Sequence, residues 1–95
     1  MKMGRKSKAQ RIIEEQGETK DKYPDSRYLV LYDFEEGNNP RKFYDNLHRL
    51  FDHYGGCLVQ RSVAEIVGSE ASLAVSSLAK GYGASVLRYR VEKDI

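Results

Sequence analysis

The sequence holds one cysteine, no tryptophan and only two prolines. Cys57 alone cannot close an internal disulfide or furnish a cysteine-rich zinc site, so a reducing, cytoplasmic setting is expected. No apolar run reaches the roughly 18 residues a membrane-spanning helix needs, so no membrane partner is expected. The segment 1–11 has no apolar stretch of the kind a signal peptide carries. Also missing are a P-loop, a GxGxxG turn, a CxxC pair and an HExxH helix. The net charge, +2, is too small to imply a polyanionic partner by itself.

A chain of 95 residues supports one domain at most. So short a chain buries a smaller share of its surface than a long one, and pairing with a second copy is one way to bury more. The charge is unevenly spread. Lys2, Arg5, Lys6, Lys8 and Arg11 precede the first acidic residue, Glu14. Such an arm can touch phosphates, and it can equally be a solubilising tail. Residues 1–26 have few apolar side chains, and Ala9 to Gln16 offers only two helical turns, which are marginal in isolation. The sequence therefore divides into a flexible basic tail, 1–26, and a domain, 27–95. Tyr23-Pro24-Asp25 reads as the turn between them.

Arg27 to Phe34 reads as a strand, because Tyr28-Leu29-Val30-Leu31-Tyr32 is a continuous apolar run. A helix follows. Asn39 and Pro40 suit its N-cap and first position, and Phe43, Tyr44, Leu47, Leu50, Phe51 and Tyr54 make one apolar stripe. Gly55-Gly56 ends it. The β-rich stretch from Cys57 to Val67 is long for one strand in a small domain. It is read as two antiparallel strands, Cys57–Arg61 and Val63–Val67, reversing near Ser62, although no Gly, Pro or Asn marks the turn. As one strand it would instead give βαβαβ with a parallel sheet. Ser69 is the expected cap of a second helix, with Ala71, Ala74, Val75, Leu78 and Tyr82 as its stripe. Ser85 to Val91 is the last strand. Its alternation predicts Leu87, Tyr89 and Val91 buried and Arg88 and Arg90 on an open, basic face. The predicted class is α+β. The order βαββαβ is the split, ferredoxin-like unit, an antiparallel sheet with two helices on one face.

Asp33 is the leading candidate for chemistry. It ends a central strand, where a carboxylate is held rigidly yet faces the loops. Mg²⁺ wants six oxygen ligands, so one carboxylate rarely holds it unaided. In a homodimer the two-fold axis supplies a second Asp33, and the pair could position a hydrated metal that activates water. The plainer role is an Asp that accepts loop N–H bonds. Glu35 and Glu36 could add ligands, but would also repel a phosphate backbone. His48 and His53 point away from each other on the helix and are expected to be exposed. Cys57 is expected to be a small buried residue. Arg41, Lys42, Arg61, Arg88 and Arg90, with Ser62, are the candidate nucleic-acid contacts, against the plain reading of a solvated face. Five of the seven tyrosines, Tyr32, Tyr44, Tyr54, Tyr82 and Tyr89, fall on stripes assigned to the core.

Several segments together resemble a known family. Tyr32-Asp33-Phe34 is similar to its Tyr-Asp-apolar end of the first strand. Arg41-Lys42 opens the first helix, where the family is Arg-rich, and Tyr54-Gly55 closes it. Val59-Gln60-Arg61-Ser62-Val63-Ala64-Glu65 resembles its Val-Gln-x-Ser-Val-Phe-Glu, with Ala64 in place of the aromatic. Ser85-Val86-Leu87-Arg88-Tyr89 looks like its final strand. The family is the small CRISPR-associated protein of the spacer-integration complex, the Cas-two family, with its relative, virulence-associated protein D. The resemblance spans about residues 28–91. It implies a ferredoxin-like homodimer with a strand break near Ser62. Asp33 would match the metal-binding aspartate, with Mg²⁺ as cofactor. The implied activity is metal-dependent cleavage of RNA or DNA, or a scaffold holding DNA beside a CRISPR integrase subunit. The alternatives are a toxin-type endoribonuclease like virulence-associated protein D and a non-enzymatic ferredoxin-like binding module.

Overall fold

The structure, a computed structural model, describes residues 7–16, 23–35 and 41–91. In chain order the elements are α1 (Lys8–Gln16), β1 (Arg27–Asp33), α2 (Arg41–Tyr54), β2 (Gly56–Gln60), β3 (Val63–Val67), α3 (Ser69–Gly81) and β4 (Ser85–Val91). From β1 onward this is the predicted alternation. The strands make one antiparallel sheet in the order β2-β3-β1-β4. That order is compatible with a ferredoxin-like fold and excludes the parallel βαβαβ alternative.

Period-two alternation sets the layers. Tyr28, Val30 and Tyr32 of β1 and Ala64 and Ile66 of β3 are buried beneath Phe43, Leu47 and Leu50 of α2 and Ala71, Ala74, Val75 and Leu78 of α3. Between β1 and β4, register partners share a face. Leu29 stands opposite Tyr89, Leu31 opposite Leu87 and Asp33 opposite Ser85. These residues line the other face, which no described element covers.

This reverses the expected orientation of β4. Leu87 and Tyr89 are 58% and 53% exposed, while Val86 packs against the core. Arg88 and Arg90 lie on the helix side. Arg88 Nη1 donates to Ser72 Oγ at 2.9 Å and its guanidinium stands 5.5 Å over the Tyr28 ring. Arg90 stands 4.2 Å over the Tyr23 ring. A long cationic stem can cover an aromatic ring and keep its head wet, so alternation alone gave the wrong face.

The turn between β2 and β3 falls at Arg61-Ser62, as read from the sequence, and needs no glycine. A register shift between Leu58 and Gln60 absorbs the irregularity. The turn's carbonyls are held from outside. The Tyr32 hydroxyl donates to Arg61 O at 2.9 Å, Tyr44 does so at 3.4 Å, and the Tyr32 N–H donates to Ser62 O at 3.1 Å. At the close of α2, Gly55 takes φ +81°. Next to it, a Cβ on Gly56 would meet Glu65 O at 2.8 Å and a Phe51 ring carbon at 2.9 Å.

Three further expectations shift. The cap position of α3 is Gly68, at φ +105°, with no side-chain cap bond from Ser69. Its N–H instead donates to Ser26 O at 2.7 Å, and Ser69 N–H to Tyr23 O at 3.1 Å, so the Tyr23-Pro24-Asp25 turn ties down this corner. Cys57 is exposed on edge strand β2. The Asn39-Pro40 start expected for α2, like Glu36, lies outside the described residues.

The helix inside the expected tail is docked. α1 packs on α2 and α3 and touches no strand, forming a third layer. Ala9 is fully buried, and Ile12 and Ile13 pack against the core. Tertiary burial of this short stripe supplies what its length lacks.

Candidate functional site

β1 ends where α2 and β4 begin and where the β2–β3 turn sits. This end of the domain, the Asp33 end, gathers most of the candidate residues. Asp33 is exposed on the open face, opposite Ser85 on β4. A cleft of about 550 Å³ lies here, lined by Leu31, Tyr32, Asp33, Ser62, Val63, Ser85, Val86 and Leu87. Its walls are mainly apolar, with one carboxylate and two serine hydroxyls among them. The floor is rigid. Tyr32, Phe34, Phe43, Tyr44 and Tyr82 interlock edge to face, with centroids 4.9–6.4 Å apart. Burial, and then the neighbouring Tyr44, push the Tyr32 phenol above its ordinary value. It therefore stays a neutral donor to the turn at physiological pH.

Arg61 and Ser62 form the exposed β2–β3 turn beside the cleft, and Arg41 and Lys42 are exposed in the first turn of α2. Tyr44 joins these two places through its bond to Arg61 O. The fold thus brings Asp33, Arg41, Lys42, Arg61 and Ser62 to one end. It does not bring Arg88 and Arg90 there. Those run down β4 on the helix side, toward Tyr28 and Tyr23. Lys80, in the last turn of α3, and Lys8 of α1 also reach the Asp33 end. Sequence reasoning placed Lys8 in a separate basic arm and left Lys80 out, because nothing local tells which end of the domain a helix terminus meets.

Among the described residues, no three His, Cys, Asp or Glu side chains gather as a metal site. A lone carboxylate with two neutral hydroxyls falls short of the oxygen set of Mg²⁺, so the residues of one copy do not fit a resident ion. His48 and His53 are exposed on α2, as expected. No helix among the described residues is long and apolar enough to cross a membrane.

No protein-family model, curated protein or solved structure matches the chain.

Proposed function

We propose that this chain is a Cas-two-like nucleic-acid-binding protein that works as a homodimer, its open sheet faces packed together and its Asp33 ends engaging a phosphate backbone. One observation carries the reading. The open face is apolar at its centre, with Leu87 and Tyr89 more than half exposed beside Leu29 and Leu31, and Asp33 stands at its rim. A small domain that leaves such a face uncovered gains from an isologous partner, and residues at the rim then recur in pairs. The oppositely charged Arg27 and Glu65, whose side chains meet at 3.1 Å on this face, give it a polar border. Arg41, Lys42 and Arg61 supply the cations a phosphodiester backbone attracts.

As a scaffold, the protein needs only this surface. The second reading is metal-dependent cleavage, and it requires the second copy. Two Asp33 carboxylates across the axis would have to hold the ion that one copy does not fit. Mg²⁺ would then supply a bound water of lowered pKa. The chain's own part is to fix the carboxylates at the strand end and to position the phosphate with Arg61 and Ser62.

The paired test uses labelled single-stranded RNA and duplex DNA, with Mg²⁺ or with chelator, on wild type and Asp33→Ala. The scaffold reading expects binding to both nucleic acids or one of them, no cleavage, and equal binding by the variant. Mg²⁺-dependent cleavage that disappears in a folded, dimeric Asp33→Ala protein would replace it with the nuclease reading. Absence of binding by a dimeric wild type would end both.

A further inference from the structure

Strand register lays the open face out in rows. Asp33 and Ser85 form the row at one end. Leu87, Leu31 and Val63 form the next. Tyr89, Leu29 and Glu65 form the third. Arg27 and Val91 close the far end. The first two rows are hollow, since they line the cleft of about 550 Å³. The third row is not part of that lining, and its Tyr89 is 53% exposed. A smaller hollow of about 390 Å³ lies beside Arg27 toward the β2 edge, on the opposite side of the sheet from Tyr89. The two ends differ in charge as well. The cleft end carries the Asp33 carboxylate, and the far end carries the Arg27 guanidinium. That side chain stays 43% exposed although it pairs with Glu65 at 3.1 Å.

Two copies can join such faces about a two-fold axis in two aligned ways. An axis along the strands sets like end on like end. The two clefts then face each other, and the sheet order lays Leu29 of β1 on the partner's Glu65 of β3. An axis across the strands reverses the rows and lays each strand on its own copy. Leu31 then meets the partner's Leu29, and Leu87 meets the partner's Tyr89. Asp33 meets the partner's Arg27. Only this second arrangement sets hollow on protrusion, apolar row on apolar row, and acid on base.

Resting on the homodimer proposed above, we infer that the cleft at the Asp33 end is the seat of a second copy of this chain, in which β1 strands run antiparallel across the interface. The partner's Tyr89 fills the apolar part of the cleft, and the partner's Arg27 meets Asp33 there. Each end of the interface repeats the same fit, as an isologous contact requires. Arg41 and Lys42 lie on α2, behind the sheet, and remain open to phosphate. The two Asp33 carboxylates stand about 20 Å apart, six residues along a strand, which is too far to share one ion. The arrangement therefore favours the scaffold reading over cleavage.

The test is the dimer dissociation constant of the full chain, by sedimentation equilibrium at physiological salt. The proteins are wild type, Arg27→Glu, Asp33→Arg and the double reversal. Within one copy these side chains lie about 20 Å apart, well beyond the screening length of roughly 8 Å, so any coupling between them acts across the interface. Each single reversal should weaken the dimer about tenfold, because it sets like charges together twice per dimer. The double reversal should return to within about threefold of wild type. Circular dichroism melts check that each subunit is folded, and Arg27→Gln with Asp33→Asn repeats the cycle without like-charge contacts. Additive losses in both cycles would overturn the antiparallel seat and leave the dimer standing. Rescue of Asp33→Arg by Arg61→Glu would overturn it too, since an axis along the strands sets Asp33 over the partner's Arg61 turn. A dimer tightened by Mg²⁺ in wild type but not in Asp33→Asn would bring the two carboxylates together and overturn it likewise. A wild type that is monomeric at every concentration would remove the homodimer reading and the seat with it.

Discussion

Arg88 donates to Ser72 Oγ at 2.9 Å, linking the second edge strand of the sheet to the fully buried serine of α3. Ser72 in turn donates to Ser69 O at 2.8 Å. The bond anchors Arg88 on the helix side of β4. Arg88→Ala should lower stability by about 1.5 kcal/mol, through removal of one charge-assisted bond and of stem packing over Tyr28. Urea titration measures it. Because Arg88 lies away from the Asp33 end, the salt slope of nucleic-acid binding should not change. A slope reduced by about one unit would instead make Arg88 a phosphate contact.

The open face makes a separate prediction. Leu87→Lys with Tyr89→Glu places charge at the centre of the proposed dimer interface. Light scattering after size-exclusion chromatography should give a dimer for wild type and a monomer for the variant. Both side chains are exposed in a single copy, so the melting curve of the isolated subunit should change little. A wild type that is monomeric at all concentrations would eliminate this face as the interface.

Tyr32 predicts an alkaline limit on stability. Its phenol pKa is raised in the folded chain, chiefly by burial. Its contribution is therefore complete below the unfolded value, near pH 10, and is lost as pH rises through the folded value. Tyr32→Phe should cost about 1 kcal/mol at neutral pH by removing the bond to Arg61 O. It should also flatten the decline of the melting temperature above about pH 10. A parallel decline in both proteins would assign the alkaline limit to other groups.

A side chain at Gly56 forces its neighbours to shift. The first atom added would lie 2.8 Å from a backbone carbonyl of β3 and 2.9 Å from the Phe51 ring. Gly56→Ala should destabilise by about 1–3 kcal/mol, the usual cost of overpacking. On a domain of this size each kcal/mol lowers the melting temperature by about 4–8 °C. Gly55→Ala, with open space around it but φ +81°, should cost less and through backbone strain alone.

The order of elements was legible because each carried a local signal. Phe43 to Tyr54 repeats at helical spacing, Gly55 and Gly56 stop it, and Tyr28 to Tyr32 is too apolar for anything but a central strand. The division at Ser62 was legible from length alone, since its turn is stabilised by Tyr32 and Tyr44 from elsewhere in the chain rather than by turn residues of its own. The orientation of β4 was not legible. Arg88 and Arg90 read as solvent-facing until Tyr28, Ser72 and Tyr23 are placed beneath them. Cys57 was expected to be buried because a free cysteine usually is, yet its strand is an edge. The docking of α1 also escaped the sequence. Ser7 caps it locally, its Oγ accepting the Gln10 N–H at 3.0 Å, but the acceptor of the Ala9 N–H, Asn46, lies on another helix and reads there as one more polar residue. Of the site, Asp33, Arg41, Lys42, Arg61 and Ser62 were legible as candidates. That Lys8 and Lys80 join them followed only from the packing of α1 and α3.

The sheet order has a consequence for how the protein is made. β1 is an inner strand of the sheet and precedes both of its neighbours, β3 and β4, in the chain. The most apolar segment of the chain therefore waits with both edges bare while α2 and β2 are synthesised. β3 closes one edge. The other stays open until β4 emerges, since Ser85 to Val91 is what pairs along the whole of β1. A nascent chain halted before Ser85 presents Tyr28 to Tyr32 as an unpaired template, the form in which strands recruit the wrong partner. Completion of β4 thus ends the exposure of β1 itself, since only then are both of its edges paired.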